Sequence, residues 1–382
     1  MRAVLFCNEM LGLGHLGVSL AIAGELASGP DDSALVVTGS PAFESMRVPS
    51  GVELLKIPTA SPGADSAWST TGLRPPGDLT QDPAEITRQR ADACRAAIER
   101  VDPDAVVVDY RPLGRDHDIV PALKLARERA SCRIALGIWD SDDTPEALRA
   151  YWTPELMERA AEFFDMAFVY GPPAADDVRV AAIREAGIPV HETGFVSDPP
   201  AGSPAPDLEP GYLLVTAGGG VDGFATLDTV LSAIRLRAIA IPAVLVAGPL
   251  MPPEHVADLR AAAAGLDVTL FESRSDLPEL LAGARAVVSM TGYSTTAQVL
   301  ASGVPSLMVP RAVPREEQLN RAKRLAADGR VAMLDPRGLS PDAMRDALDQ
   351  LLARSPRGAQ ALTGASDVRD LLVAALDDQS VR

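Results

Sequence analysis

The sequence DPPAGSPAPDLEP, residues 198–210, separates two parts of the chain that follow the same pattern. Its proline, glycine and serine content is typical of a linker or an ordered crossover, not of a helix or strand. On each side of it, short apolar runs alternate with stretches of helical periodicity. Because runs without polar alternation suit strands buried on both faces of a parallel sheet, the sequence predicts two Rossmann-like, doubly wound parallel-sheet α/β domains.

The predicted strands are short and almost entirely apolar in both halves. Those of the first half occupy residues 3–6, 34–37, 105–108, 134–138 and 167–169. Those of the second half occupy residues 212–216, 243–247, 268–271, 286–289, 306–309 and 331–334. We expect an amino-terminal domain at 1–197, a linker at 198–210, a carboxyl-terminal domain at 211–360, and a terminal helix within 361–382 that packs back on the first domain.

The composition is that of a globular chain, with 382 residues, 47% of them hydrophobic and 23% charged. A net charge of −17 repels phosphate backbones and argues against nucleic acid as a partner. A nucleotide can still bind, because a helix N-terminus attracts anions locally. The cysteines, at positions 7, 94 and 132, are far apart and lack metal-ligand spacing, which argues against a disulfide framework.

The sequence shows no feature of a membrane protein. The apolar run at residues 3–7 is followed by Asn8 and Glu9, and no stretch reaches the roughly 20 apolar residues of a membrane span. No basic amphipathic face marks a membrane surface, so a lipid acceptor is not favoured. We expect a cytoplasmic protein without membrane insertion, while its oligomeric state is not indicated.

A glycine-rich motif, GLGHLG at residues 12–17, joins the first predicted strand to the first helix. It matches the G-x-G-x-x-G dinucleotide fingerprint, which also requires an acidic residue at the end of the second strand. That strand ends VTGS at residues 37–40, without a carboxylate, so a nicotinamide cofactor is not favoured. The glycines could simply turn the chain into the helix. His15 follows the carboxyl end of a strand, where α/β domains bind ligands, and is our candidate catalytic residue.

Asp109 is the second candidate catalytic residue. It follows the apolar run 105–108 at the carboxyl end of a predicted strand. A carboxylate there can orient a histidine or accept a proton. Capping of a turn or helix is an equally good interpretation from the sequence alone.

Three motifs of the second half could bind an anion or a sugar. The triplet Gly218, Gly219, Gly220 lets backbone N–H groups approach an anion closely, although a flexible turn is the alternative. The sequence TGYST at residues 291–295 begins a helix whose N-terminus suits a diphosphate; simple N-capping by Ser294 is compatible with that. Glu317 and Gln318 could hold sugar hydroxyls, but from spacing alone solvated charge is the better interpretation.

Taken together, these motifs occur in an ordered series along most of the chain. In the first half the series is GLGH at 12–15, PDAVVVD at 103–109 with PLG at 112–114, GIWD at 137–140 and VYG at 169–171. In the second half it is LLVT at 213–216, GGG at 218–220, DG at 222–223, GPLMP at 248–252, GYST at 292–295, VPR at 309–311 and REEQ at 315–318. The chain resembles glycosyltransferases related to the peptidoglycan enzyme that adds N-acetylglucosamine to lipid I.

The resemblance implies a GT-B fold, in which two domains face a central cleft, the first holding the acceptor and the second the nucleotide diphosphate sugar. It implies an inverting transfer to a small-molecule acceptor with no metal cofactor. Asp-x-Asp spacings, among them the one at residues 140–142, occur only in the first half, which is the wrong half for a donor-bound metal. Carried over, His15 is the base or an acceptor contact. We pair it with Asp109 as the second catalytic candidate, and we expect Gly14 and Arg111 to contact the acceptor. The implied donor-binding residues are Gly218, Gly219, Gly220, Thr291, Gly292, Tyr293, Ser294, Thr295, Gln298, Glu317 and Gln318.

The chain departs from the family pattern in two places. Gln298 stands where relatives carry the Glu that contacts the nucleotide ribose; it can still accept from a hydroxyl but carries no charge, so the ribose contact is altered. UDP is the default nucleotide, and this departure leaves dTDP as an alternative. Residues 17–18 are Gly-Val where close relatives carry an Arg, which bears on the acceptor. Two other functions remain open: a nucleotide-sugar hydrolase or 2-epimerase on the same fold, and a nucleotide-sugar-binding protein without catalysis.

Overall fold

The computed structural model describes residues 1–7, 13–59, 82–139, 144–172, 177–313 and 316–378. The chain forms two compact units. Unit 1 comprises Met1–Phe43, Val48–Ser197 and Leu362–Arg382, and unit 2 comprises Glu44–Arg47 and Asp198–Ala361. Gly12, Arg315, the Asp-x-Asp spacing at 140–142 and most of the loop predicted at 58–82 lie outside the described residues.

Unit 1 is built on a seven-stranded parallel sheet with the strand order β3-β2-β1-β4-β5-β6-β7. Its strands are β1 (Arg2–Cys7), β2 (Ser33–Thr38), β3 (Val52–Lys56), β4 (Ala105–Asp109), β5 (Arg133–Trp139), β6 (Met166–Tyr170) and β7 (Val190–Thr193). Its helices are α1 (Gly14–Leu26), α2 (Pro83–Val101), α3 (Val120–Arg127), α4 (Pro145–Tyr151), α5 (Pro154–Ala161), α6 (Val178–Glu185) and α13 (Gly364–Asp377).

Unit 2 repeats this architecture with a six-stranded parallel sheet of order β10-β9-β8-β11-β12-β13. Its strands are β8 (Tyr212–Thr216), β9 (Ala243–Val246), β10 (Val268–Phe271), β11 (Ala284–Ser289), β12 (Ser306–Met308) and β13 (Ala332–Met333). Its helices are α7 (Phe224–Leu236), α8 (Pro253–Ala263), α9 (Leu277–Gly283), α10 (Tyr293–Ser302), α11 (Glu317–Ala327) and α12 (Pro341–Leu352). The predicted fold class of two parallel α/β domains is confirmed.

The central strands are buried along their whole length, as their apolar runs predicted. Every residue of β4 and of β8 is buried. In both sheets the strand order reverses beside the first strand, between β1 and β4 in unit 1 and between β8 and β11 in unit 2. Ligands of doubly wound sheets bind at the carboxyl ends of the strands beside such a reversal. The topology therefore marks one candidate binding edge in each unit.

The carboxyl-terminal segment packs within unit 1. Asp367 Oδ2 accepts a hydrogen bond from the Gly194 amide at 2.9 Å, and Arg133 donates to the carbonyls of Ala375 and Asp378 at 2.8 and 3.1 Å. A Cβ on Gly364 would lie 2.0 Å from the Gly194 carbonyl oxygen, so glycine is required for this close approach. Helix α13 thereby lies against the β7 end of the unit 1 sheet.

The proline-rich segment 198–210 lies within unit 2. The amide of Ala205 donates to the Glu279 carbonyl at 3.2 Å, and Asp207 forms an ion pair with Arg274 at 2.7 Å. Proline restricts the backbone of this segment without forming a helix or strand. The segment is thus an ordered connection that packs on the start of α9.

Candidate active site

His15 and Asp109 meet at the strand-order reversal of unit 1. Asp109 is the last residue of β4, and His15 lies in the first turn of α1, which follows β1. The His15 Nδ1 and Asp109 Oδ2 atoms are 2.5 Å apart, with 24% of the histidine side chain and 7% of the aspartate side chain exposed. Because an ionised carboxylate only accepts, Nδ1 is the donor in this contact, and Nε2 is the ring nitrogen left to face a substrate. The turn-capping interpretation of Asp109 does not account for this contact.

Aromatic rings surround this pair. The His15 ring lies 4.0 Å from the Trp139 ring, centroid to centroid, at an interplanar angle of 34°. The Tyr110 ring lies 5.8 Å from it in an edge-to-face arrangement. A Cβ on Gly14 would lie 3.5 Å from the Trp139 ring, so Trp139 also bounds the space above Gly14. Aromatic residues make up only 4% of the chain, which makes their concentration here a feature of the site.

The backbone that carries these rings is firmly held. Tyr110 has φ 63°, a left-handed conformation that is uncommon for a bulky residue, and its amide donates to the Gly137 carbonyl at 2.7 Å. The Trp139 carbonyl accepts from Arg179 Nη1 at 2.7 Å. Arg179 is fully buried and also pairs with Asp177. Two neighbouring strand ends, β4 and β5, are thereby fixed around His15.

Arg111 follows this turn. Its guanidinium carbon lies 4.9 Å from the centroid of the Tyr151 ring, within the range of a cation–π contact. Its amide donates to the Asp109 carbonyl at 2.8 Å. The structure therefore places Arg111 next to the His15–Asp109 pair, while its acceptor contact stays a prediction.

The glycine triplet of unit 2 follows β8 and packs against a second glycine loop. Gly218 and Gly220 have φ of 62° and 92°, and Gly248 after β9 has φ 100°. A Cβ on Gly248 would lie 2.5 Å from the Gly218 carbonyl oxygen and 2.6 Å from the Gly219 carbonyl carbon. Side chains are excluded from this contact, since backbone lies directly on backbone. A flexible turn would not require such a close fit.

The N-terminus of α10 lies beside the glycine triplet. A Cβ on Gly218 would lie 3.4 Å from Thr295 Oγ1. The N-cap residue is Gly292, with no side-chain capping bond, and a Cβ on it would meet nothing within 4 Å. N-capping of this helix by Ser294 is therefore wrong. No side chain caps this helix start, its dipole favours an anion there, and the space in front of Gly292 is open.

Two threonine hydroxyls flank this helix start. Thr291 and Thr296 are fully buried, and within the described part of the chain neither Oγ1 atom has a hydrogen-bond partner. A buried hydroxyl without a partner costs roughly 1–3 kcal/mol. Each such group calls for a partner in the native protein.

Gln318 and Glu317 belong to the same edge of the unit 2 sheet. Gln318 Oε1 accepts from the amides of Thr291 and Arg311, each at 3.2 Å, and so joins the loops after β11 and β12. Glu317 pairs with Arg311, which also pairs with Asp222 at 3.1 Å. Solvated charge is therefore the wrong interpretation of these two residues. Gln318 positions the loop before α10, and contacts of either residue with a sugar stay predictions.

Arg321 adds to the support of this loop. Its Nη1 donates to the Thr291 carbonyl at 2.6 Å, and its guanidinium carbon lies 5.8 Å from the Tyr293 ring centroid. Sequence reasoning did not select Arg321, because it lies one turn beyond Glu317 within a run of charged residues. Its i, i+3 spacing from Gln318, which puts both on one face of α11, was the available signal.

Gln298 has a partner that the sequence did not indicate. Its Nε2 lies 3.4 Å from Asp198 Oδ2, and both residues belong to unit 2. Burial raises the pKa of Asp198. The carboxylate that is missing at position 298 is therefore present nearby, on the connection between the two units. No local pattern links two residues that are so far apart in sequence.

The described part of the chain contains neither a metal-binding cluster nor a membrane-spanning helix. Within it, no group of three or more His, Cys, Asp or Glu side chains could hold a metal ion. Over the same residues, every helix is too short or too polar to cross a bilayer.

Comparisons with known proteins agree with this geometry. Residues 220–372 match the glycosyltransferase family 28 C-terminal domain. The UDP-N-acetylglucosamine–N-acetylmuramyl-(pentapeptide) pyrophosphoryl-undecaprenol N-acetylglucosamine transferase of Rhodospirillum rubrum is 31% identical over 188 residues, which cover 46% of this chain and 48% of that protein. The chain thus spans about half of that relative's length. The enzyme of the same name from Paenarthrobacter aurescens is 25% identical over 90% of this chain and 86% of its own length.

Solved structures share the fold over the whole chain. Acinetobacter baumannii MurG is 14% identical with a TM-score of 0.54, covering 98% of this chain and 99% of that structure. The kitacinnamycin glycotransferase is 18% identical with a TM-score of 0.59, and the match covers 98% of this chain and 97% of that structure. At these identities the likeness establishes the fold alone. Together with the family 28 domain match and the curated relatives, this fold makes the chain similar to GT-B glycosyltransferases of the lipid I N-acetylglucosaminyltransferase group.

Proposed function

We propose that the chain transfers a sugar from a nucleoside diphosphate sugar to a hydroxyl of a small-molecule acceptor, with inversion and without a metal. The observation that carries the proposal is the His15–Asp109 pair at the carboxyl edge of the unit 1 sheet. An imidazole that donates from Nδ1 to a carboxylate has Nε2 available as a general base.

The donor diphosphate binds at the start of α10 in this proposal. Several features support that position: the uncapped helix start at Gly292, the open space around it, and the neighbouring glycine loop. Backbone amides and the helix dipole stabilise negative charge on the diphosphate, both in the bound donor and as it leaves. They supply the charge compensation that a metal provides in other enzymes. The hydroxyls of Thr291 and Thr295 are further donors at this position.

The chemical step is a single displacement. The acceptor oxygen forms a bond to the anomeric carbon while the bond from that carbon to the diphosphate oxygen breaks, and the acceptor proton passes to His15 Nε2. Attack opposite the leaving diphosphate inverts the anomeric centre. Asp109 stabilises the imidazolium that forms, since its carboxylate already accepts from Nδ1.

The substrates follow from the family and from the unit 1 surroundings. The curated relatives are named for UDP-N-acetylglucosamine, so UDP is the expected nucleotide and dTDP the alternative. Flat apolar rings at Trp139 and Tyr110, with Arg111 next to them, suit a compact acceptor that presents a ring face to His15. Gly14 leaves room for it at the start of α1.

The test measures UDP release from a panel of UDP sugars with and without acceptors. We expect release to depend on the acceptor and a glycosylated product to form in equal amount. Release at the same rate without any acceptor would instead identify a hydrolase, and formation of a 2-epimeric sugar an epimerase. Donor binding without turnover across a broad acceptor panel would identify a non-catalytic binding protein.

A further inference from the structure

Unit 2 contains a cavity of about 400 Å³ away from the candidate donor site. It lies at the start of β12, where Ser306 and the end of α10 contribute, whereas the glycine triplet and Gly292 follow the carboxyl ends of β8 and β11. The segment 354–360, after α12, forms its outer wall. The cavity is therefore at the opposite edge of the sheet from the proposed diphosphate site.

Positive charge is concentrated in this cavity. Arg330, Arg354 and Arg357 line it, and none of its described lining residues is Asp or Glu. The Arg357 Nη1 atom lies 3.8 Å from where a Cβ of Gly329 would be, which puts its guanidinium next to residue 330. Among the described residues, no carboxylate pairs with these three arginines, although the chain has a net charge of −17. Like charges held together without a counter-charge attract an anion.

The wall that carries the arginines is held in place by the protein. The Arg357 amide donates to the Gly303 carbonyl at 2.9 Å, and the Gln360 amide donates to the Leu300 carbonyl at 3.1 Å. Gly303 has φ 68°, and a Cβ on it would lie 2.3 Å from the Arg357 carbonyl oxygen, so glycine is needed there. Arg330 Nη1 donates to Gln360 Oε1 at 2.5 Å. Gln360 thus holds the Arg330 side chain, and the backbone that carries Arg357 is fixed at Gly303, although the Arg330 and Arg357 side chains are exposed. A backbone that is already fixed loses little entropy when a ligand binds.

The floor of the cavity is apolar. It consists of Val299, Leu300, Val304 and Pro305, beside the hydroxyl-bearing residues Ser306 and Ser355. Guanidinium groups match phosphate oxygens in pairs of parallel hydrogen bonds, which an ammonium group does not provide. We propose that this cavity is a second ligand site, separate from the donor site, that binds a phosphate group attached to an apolar moiety. A phosphorylated small molecule and a phospholipid headgroup share this chemistry.

The experiment is a calorimetric titration with inorganic pyrophosphate of the wild type and the double variant Arg330→Gln/Arg357→Gln. The control is Arg260→Gln, which removes an exposed arginine of the same unit that pairs with Glu272. Gly292→Val is titrated in parallel, because pyrophosphate can also occupy the proposed donor site. Sedimentation with phosphatidylglycerol vesicles, compared with phosphatidylcholine vesicles, separates a headgroup from a free phosphate. Melting temperatures establish that each variant is folded.

We expect the double variant to bind at the second site about tenfold or more weakly, as loss of charge-assisted hydrogen bonds predicts, with the control unchanged. Gly292→Val should leave that binding intact. If only the double variant loses binding to phosphatidylglycerol vesicles, while its pyrophosphate binding is unchanged, the site is supported and its ligand is a lipid headgroup. If the double variant binds both pyrophosphate and phosphatidylglycerol vesicles as strongly as the wild type does, the proposal is overturned. Failure of the donor site appears separately, as a Gly292→Val variant that keeps every pyrophosphate binding event of the wild type.

Discussion

The two candidate sites use different parts of the polypeptide. In unit 1, side chains supply the chemistry: His15 and Asp109 are 2.5 Å apart and stand among aromatic rings. In unit 2, the backbone supplies it: the glycine loops contact each other directly, and α10 begins at an uncapped glycine. Catalysis needs a group of defined acidity, whereas a diphosphate needs amides that can approach it closely. Substitutions should therefore affect turnover in unit 1 and binding in unit 2.

The largest expected effect concerns the side chains of the candidate site in unit 1. We predict that His15→Ala lowers the turnover number by about 10²–10⁴-fold, the range for lost general-base assistance. Nucleoside diphosphate affinity should be unchanged, since the proposed donor residues belong to unit 2. Steady-state kinetics and calorimetry on the same preparation measure both quantities.

The matched control is His191→Ala, which removes another partly exposed histidine of unit 1, on β7. It should leave turnover within a factor of about two of wild type, as expected for a site remote from the reaction. Near-normal turnover of folded His15→Ala protein would rule out His15 as the base.

The second prediction concerns the backbone at the candidate diphosphate site in unit 2. We expect Gly292→Val to weaken nucleoside diphosphate binding by about a hundredfold, because its side chain would occupy the space in front of the helix amides. The fold should survive, since a Cβ at this position meets nothing within 4 Å. Calorimetric titration with UDP measures the effect.

Gly338→Val is its control, because a Cβ on Gly338 also meets nothing within 4 Å and the residue lies in the same unit. Its affinity for UDP should equal that of wild type. If folded Gly292→Val also binds UDP as wild type does, the diphosphate does not bind at this helix.

The third prediction separates orientation from charge in unit 1. Asp109→Asn retains an oxygen that can accept from His15 Nδ1 but removes the negative charge that stabilises the imidazolium. We expect turnover to fall by about tenfold, less than for His15→Ala, with the Michaelis constant for the donor unchanged. A loss equal to that of His15→Ala would show that the charge, rather than orientation alone, is essential. Turnover at the wild-type level would remove Asp109 from the mechanism.

The smallest expected effect concerns the Asp198–Gln298 contact. Gln298→Glu places a second carboxylate near Asp198, whose pKa burial already raises, and should reduce the free energy of unfolding at pH 7 by about 1 kcal/mol. A carboxyl whose pKa rises on folding binds its proton more strongly in the native state. The loss of unfolding free energy should therefore reach its full size at pH values well above the pKa of folded Asp198. It should become smaller as the pH falls through that pKa.

Denaturant unfolding at pH 7 and at pH 5 measures this change, with Gln298→Met as the uncharged control. The Met variant should show no such pH dependence. Equal stability of Gln298→Glu and wild type at both pH values would mean that the two carboxylates do not interact in solution.

Sequence patterns were reliable where burial is complete on both faces of a strand. The runs at 105–108 and 212–216 became β4 and β8, whose residues are all buried. Strands β3 and β7 were missed, because Glu53, Lys56 and Glu192 interrupt half-buried strands at the two edges of the unit 1 sheet. An edge strand is held by pairing with one neighbour, so its own side chains carry little signal.

The sequence by itself determined the two-domain α/β architecture, because apolar runs and glycine turns act through local backbone preferences and burial. It also selected His15, Asp109, the glycine triplet and the start of α10, since each ends an identifiable strand or lies in the turn and first helical residues after one. Only the tertiary structure decided which of these groups meet. Asp109 contacts His15 because β4 pairs with β1, and Gln318 joins the loops after β11 and β12 because those strands are neighbours. Strand order depends on the packing of the whole sheet, which no local stretch of sequence encodes.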